Sequence, residues 1–147
     1  SFEQVAHGAR QNIGSLSYTK DLAFASLIKL DHIIFIQSGY HAIETHQSGA
    51  GVEGELSQHT SCRLGRWYYE GDGQRLFGQQ QSFRQMEQPH RLVHEYLHNA
   101  VEASQGNWLY DDALLQRIVQ AMNDAESAGS QVMQLLNRVV DEKHHLR

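Results

Sequence analysis

From Thr19 to about Gln47 the apolar residues Leu22, Ala25, Leu27, Ile28, Leu30, Ile33, Ile34, Ile36, Tyr40 and Ile43 run with no helix breaker except Gly39. This pattern predicts one long, heavily buried helix. The stretch from Ser48 to Glu55 is glycine-rich and aperiodic, so the helix ends there in a loop that lasts to about Thr60. Thr60 or Ser61 then caps a short helix with Cys62 in its first turn, closed by Gly71-Asp72-Gly73. Over residues 74–104 the stripe Leu76, Phe83, Met86, His90, Val93, Leu97, Ala100 and Ser104 predicts one helix, or two joined near Pro89. Gly106-Asn107 supplies a stop. A last helix carries Leu115, Ile118, Met122, Ala125, Gly129, Val132, Leu136 and Val139 at spacings of three and four, the seam of a bundle. No segment alternates with the period of a strand. The fold class is therefore all-α: a helical bundle of four long or medium helices with a short extra helix carrying Cys62. Residues 1–18 are set apart as an N-terminal segment, the tail of a helix arriving from upstream, and residues 19–147 as the bundle proper.

A chain of 147 residues, 40% of them apolar and with a single proline, has the size and composition of one helical domain with its own core. One cysteine excludes an internal disulfide. A net charge of −5 with the histidines neutral, and no basic face, argues against a nucleic-acid partner. The most apolar stretch, Leu22 to Ile36, is interrupted by Lys29, Asp31 and His32, so no membrane insertion is expected, and without a signal-peptide pattern a cytoplasmic location is favoured. Ser1 in place of a methionine, followed at once by helical pattern, suggests a domain excised from a longer protein whose output module lies elsewhere.

Ten histidines beside one thiol make metal ligation the first chemistry to test. His32 has Ala25, Ile28, Phe35, Ile36 and Gly39 as its helical neighbours, which places its ring on the apolar face, where a core histidine satisfied by one hydrogen bond is the plainer use. With His90 set at zero on its helix, His94 falls at about 40° and His98 at about 80°. His90 and His94 thus face the core as an i,i+4 chelate, and His98 lies at its edge. Three inward imidazoles and one thiolate suit tetrahedral zinc, whose nitrogen and sulfur ligands sit on facing elements of a bundle. Cys62, near a helix start and beside Arg63 and Arg66, is expected to have a lowered thiol pKa; a small buried hydrophobe is its other reading. Trp67, Tyr68 and Tyr69 read as core anchors.

Cys62-x-Leu64-Gly65-x-Trp67, the preceding Lys29-Leu30-Asp31-His32 and the later Pro89-His90-x-x-x-His94 together resemble the CZB family, the chemoreceptor zinc-binding domains of bacterial chemoreceptors and some diguanylate cyclases. The likeness runs from about Leu22 to Val101, and Leu22 to Phe35 looks closest to the versions on soluble chemoreceptors. It implies a zinc ion held by His32, Cys62, His90 and His94, and a non-catalytic cytoplasmic sensory module, homodimeric through its parent, that responds to zinc or to oxidants such as hypochlorous acid acting on a redox-sensitive Cys62. A regulatory domain of a diguanylate cyclase is the alternative. Nothing in the likeness matches the 48–59 loop.

Two other metal readings compete. His94-Glu95-Tyr96-Leu97-His98 has the form of the zinc-protease signature, yet Cys62 would then fill the position that a catalytic zinc keeps open for water. A hemerythrin-like di-iron protein is also a histidine-rich bundle, but His41 to Glu44 and His94 to Glu95 do not supply the paired bridging carboxylates that two irons need.

Overall fold

The computed structural model describes residues 1–46 and 56–145, all in helices, turns and connections. Three long helices, α1 (Phe2–Thr45), α5 (Glu87–Ala103) and α6 (Asp112–His145), pack along one another, and three short ones, α2 (Arg63–Tyr69), α3 (Asp72–Phe77) and α4 (Gln81–Gln85), fill the remaining side. The all-α bundle is as the periodicity indicates, with its fourth column broken into pieces. In place of one helix over 74–104, or two joined near Pro89, the chain forms α3, α4 and α5, with breaks at Gly78, the C-cap of α3, and at Met86, between α4 and α5. Pro89 does not break α5. It lies in the first turn, where the backbone N–H has no partner inside the helix.

Contacts fix the directions. Tyr40 meets Glu126 and Asp21 meets His144, so α1 and α6 are antiparallel; Phe35 meets His94 and His46 meets Ser104, so α1 and α5 run the same way. His46 ends α1 in the left-handed conformation (φ 56°), held by stacking on Trp108 and by the Ser104 carbonyl. Helix α1 is continuous across residue 18, and most of residues 1–16 is exposed.

The expectation of a heavily buried first helix is wrong in one respect. Only Ala25, Ile28, Ile36, Gly39, Ala42 and Ile43 of α1 are buried, whereas Leu22, Leu27, Leu30, Ile33, Ile34 and Tyr40 are exposed. The helix is apolar on two faces, and one of them has no cover among the described residues. For the same reason α1 is, by length and composition alone, apolar enough to cross a bilayer, against the expectation from Lys29, Asp31 and His32. The glycine-rich Ser48–Glu55 part of the expected loop lies outside the described residues.

The core has two apolar clusters. One gathers Ile28, Leu64, Tyr68, Phe83, Met86, Val93 and Val132; the other gathers Ile36, Ala42, Leu97, Ala100, Met122 and Ala125. In the second, α1 and α5 touch at a glycine: a Cβ on Gly39 would lie 2.3 Å from Cδ1 of the fully buried Leu97. Any side chain there must displace Leu97, which outweighs the propensity of about 1 kcal/mol that alanine gains over glycine in a helix. Gly39→Ala is therefore expected to lower stability by about 1–3 kcal/mol and Leu97→Ala by about 2–5 kcal/mol. In urea titrations the double variant should lose at least about 1 kcal/mol less than the sum of the two. Simple additivity would show that the helices are not in contact at this point.

Candidate metal centre

Cys62 is not inside the first turn of its helix, as expected, but is itself the N-cap of α2, where its Sγ accepts the Gly65 N–H at 3.3 Å. The surrounding motif explains itself. Gly65 has no room for a Cβ, which would sit 1.9 Å from the His59 carbonyl oxygen, so the segment before Cys62 folds tightly over the helix start. Leu64 enters the core, and Trp67 packs on Phe24, Phe77 and Phe83 at centroid distances of 4.9, 5.6 and 5.7 Å. Gly73 gives the Trp67 ring its space. Tyr68 is a buried anchor stacked on Phe83, while Tyr69 is only half-buried and donates to Glu87 at 2.9 Å.

His90 and His94 project from consecutive turns of α5, each 5% exposed. Their ligand atoms and the Cys62 Sγ all lie within 4.8 Å of one another, with Cys62 Sγ 3.2 Å from His90 Nε2. Nδ1 of His94 lies 2.7 Å from the Ser57 carbonyl and so carries the proton, which leaves Nε2 as the lone-pair atom. A backbone carbonyl that fixes the tautomer in this way is a common support for a metal-ligating imidazole. His98 Nε2 reaches the same carbonyl at 3.1 Å, so His98 braces the support from its position at the edge of the apolar face.

His32 borders the same cavity of about 300 Å³, together with Cys62, His90, His94, Val93 and Gly129, but its ring is outside the three-residue cluster. It lies against Gly129 of α6, where a Cβ would come within 2.1 Å of the imidazole. The structure thus brings three of the four sequence-derived candidates together and places the fourth on the wall beside them. A thiol and imidazoles without a carboxylate fit zinc, and their hydrogen bonds leave donor atoms free. They do not fit a di-iron pair, and among the described residues no other such group is found. Glu95 does not line the cavity; it is exposed and paired with Arg91 at 2.6 Å, so the protease-like spacing has no general base at the site.

The expected activation of Cys62 is reversed. Burial pushes the thiol pKa up, and Asp31 adds to the rise; the Gly65 and Leu64 amides and Arg66 oppose it without winning. Arg63, counted on for the same purpose, is 2.7 Å from Asp31 and committed to that pair. The pair also links α1 to α2 beside the site, a role for Asp31 that spacing did not disclose. Sequence reasoning likewise missed the Ser57 carbonyl, which has no side-chain signature.

Burial pushes His90 down to about 3 and His94 to about 4, with neighbouring imidazoles adding to both and the Ser57 bond partly offsetting the second. His32 is lowered as well, again by burial. The sign follows: below the ordinary value of 6.5 the unfolded chain takes up protons that folded His90 and His94 refuse. Stability is therefore lost as pH falls from about 6.5 towards about 4. In chelator-treated protein the unfolding free energy from urea titration should drop between pH 7 and pH 5, by about 1–2 kcal/mol per histidine, with the midpoint falling in step, and the drop should shrink in His90→Leu. A midpoint unchanged over that range would mean that both rings are hydrated in the fold.

No curated protein and no solved structure matches the chain. A family model does, over residues 32–101, a span that opens on His32, contains Cys62, His90 and His94, and takes in α2 through nearly all of α5. With its cysteine-capped α2, its i,i+4 histidines and the three-donor cluster they form, this segment matches the model of the chemoreceptor zinc-binding domain family.

Proposed function

We propose that the chain is the cytoplasmic zinc-binding sensory domain of a bacterial chemoreceptor, with no catalysis of its own. The observation that carries this reading is the convergence of Cys62, His90 and His94 within 4.8 Å, with His32 of α1 on the adjoining wall. With His32 as fourth ligand the shell is closed by three imidazoles and one thiolate, and no position is left for a substrate or water. Function then lies in occupancy: zinc ties α1 to α5 and to the start of α2, and loss of one ligand releases that tie to the output domain of the parent protein. Cys62 is the redox-sensitive member. Hypochlorous acid transfers its oxygen to the zinc-bound thiolate, chloride leaves, and the resulting sulfenic acid is a poorer ligand.

The partner we infer is a second copy of the chain. Ala9, Leu16, Ala23 and Leu30 are exposed at intervals of seven on the side of α1 turned from the core, with Val5, Leu27 and Ile34 beside them. A seven-residue apolar repeat is the seam of paired helices, and the same stripe on another copy is its natural complement.

Three measurements test these readings. Cobalt(II) should bind one per chain with thiolate charge-transfer and tetrahedral bands. Cys62→Ala should abolish the first and His90→Ala weaken binding at least about tenfold, while Glu95→Gln leaves both intact. One equivalent of hypochlorous acid should then erase the charge-transfer band and yield a sulfenic acid at Cys62. A wild-type chain without those bands sinks the zinc reading; an unmodified Cys62 sinks only the oxidant response. For the dimer, sedimentation should give two copies for the wild-type chain and one for Leu16→Glu/Leu30→Glu at unchanged helicity. A wild-type monomer at tens of micromolar would refute it.

A further inference from the structure

A fifth histidine stands at the centre, and neither the family likeness nor the sequence reading uses it. His59, three residues before Cys62, is half-buried. Its ring centroid is 5.8 Å from that of His90 and 6.3 Å from that of His94, whose own centroids are 5.1 Å apart. Two imidazoles that share a tetrahedral zinc bring their centroids to about 5 Å, because each ring nitrogen lies about 2.1 Å from the metal. The His90–His94 spacing already meets this, and His59 exceeds it by an amount that side-chain rotation covers.

His59 is held where that rotation is available. Its carbonyl oxygen accepts from Cys62 Sγ at 3.5 Å and is pressed against Gly65, so its backbone is fixed relative to the thiol. Its ring rests edge-on against Tyr69 at 6.0 Å, with no ring hydrogen bond to break among the described residues. His32 and His59 reach the donors from different sides. His32 lines the cavity from α1, opposite Leu56, Ser57 and Cys62, whereas His59 is not among its lining residues. His59 belongs instead to the segment that carries Cys62.

We infer that His59 is an alternative fourth ligand that replaces His32 when α1 draws back. The inference rests on the zinc reading above. In the exchange a neutral imidazole leaves the metal and a neutral imidazole takes its place, so the charge of the site is unchanged and no redox partner is needed. What changes is which helix is tied. With His32 the metal joins α1 to α5 and the Cys62 segment; with His59 it is enclosed by the Cys62 segment and α5 alone. Zinc can then stay bound while the His32 turn of α1 is freed from it, so occupancy and the position of that turn become separable.

The test is cobalt(II) titration of the full chain as wild type, His59→Ala, His32→Phe and His32→Phe/His59→Ala. Phenylalanine keeps a ring beside Gly129 and removes the donor. His32→Ala, which empties that space instead, is run in parallel, so that misfolding of one variant, read by circular dichroism, does not decide the result. Single substitutions at either histidine should keep the tetrahedral bands and lose less than about tenfold in affinity. Loss of both should collapse the ligand-field intensity as water enters, with a fall of about 100-fold or more. In the His32 variants zinc should also protect His59 from diethyl pyrocarbonate, read by mass spectrometry. If His32→Phe or His32→Ala alone is as pale and as weak as the double variant, or if zinc leaves His59 fully reactive in them, the inference is overturned. If the wild type shows no cobalt bands, the zinc reading itself has failed.

Discussion

The bundle is built around a buried cluster of ligand atoms, the Cys62 thiol and the His90 and His94 imidazoles, which lie within 4.8 Å of one another. His90 and His94 are each 5% exposed and lie between an apolar cluster around Ile28, Val93 and Val132 and another around Ile36, Leu97 and Ala125. Inserting imidazoles between two hydrophobic clusters costs stability unless their nitrogens find partners. One backbone carbonyl, that of Ser57, serves His94; the thiol of Cys62 serves His90. Burial disfavours the charged form of both imidazoles and of the thiol, so three neutral donors share one small space. A cation that accepts them converts the least comfortable layer of the core into its strongest cross-link.

The donors are held with unequal firmness. His90 and His94 are fixed by a 17-residue helix packed along α6, and their mutual geometry is that of one helix face. Cys62 is held by a helix of seven residues whose place depends on Trp67 in its aromatic cage, on Gly65 fitting under the His59 carbonyl and on the Arg63–Asp31 pair. That pair is about half and a third exposed at its two ends and contributes little by itself. The Cys62 segment is thus the member of the site with the fewest packed neighbours to hold it, and the place where the shell opens at least cost to the core.

Periodicity carried the bundle and most of the site because both are written on helix faces. The stripes from Phe83 to Ser104 and from Ile118 to Val139 are buried as their spacing requires, and His90 and His94 come with them. Where the pattern misleads, the cause is physical. Apolar residues on two faces of α1 look like full burial, although among the described residues one face is left exposed. Arginines near Cys62 look activating, yet spacing does not disclose that Asp31 takes Arg63 or that burial outweighs a helix end. The Ser57 carbonyl, the Gly129 platform beneath His32 and the approach of His59 depend on tertiary placement and leave no periodic trace.

The placement of His32 decides what a change at the site can do to α1. Below it, Asp21 accepts from Lys143 at 3.0 Å and from His144 at 2.5 Å, which clamps α1 to the end of α6. Above it, the Gly39–Leu97 approach clamps α1 to α5. His32 lies between these two fixed points, so a ligand gained or lost there bends or tilts the helix locally and does not detach it. Leu30 and Ile34, exposed on the back of the same two turns, shift with it. Under the function proposed above, a change in metal ligation would thereby reach a face of α1 that no described residue covers.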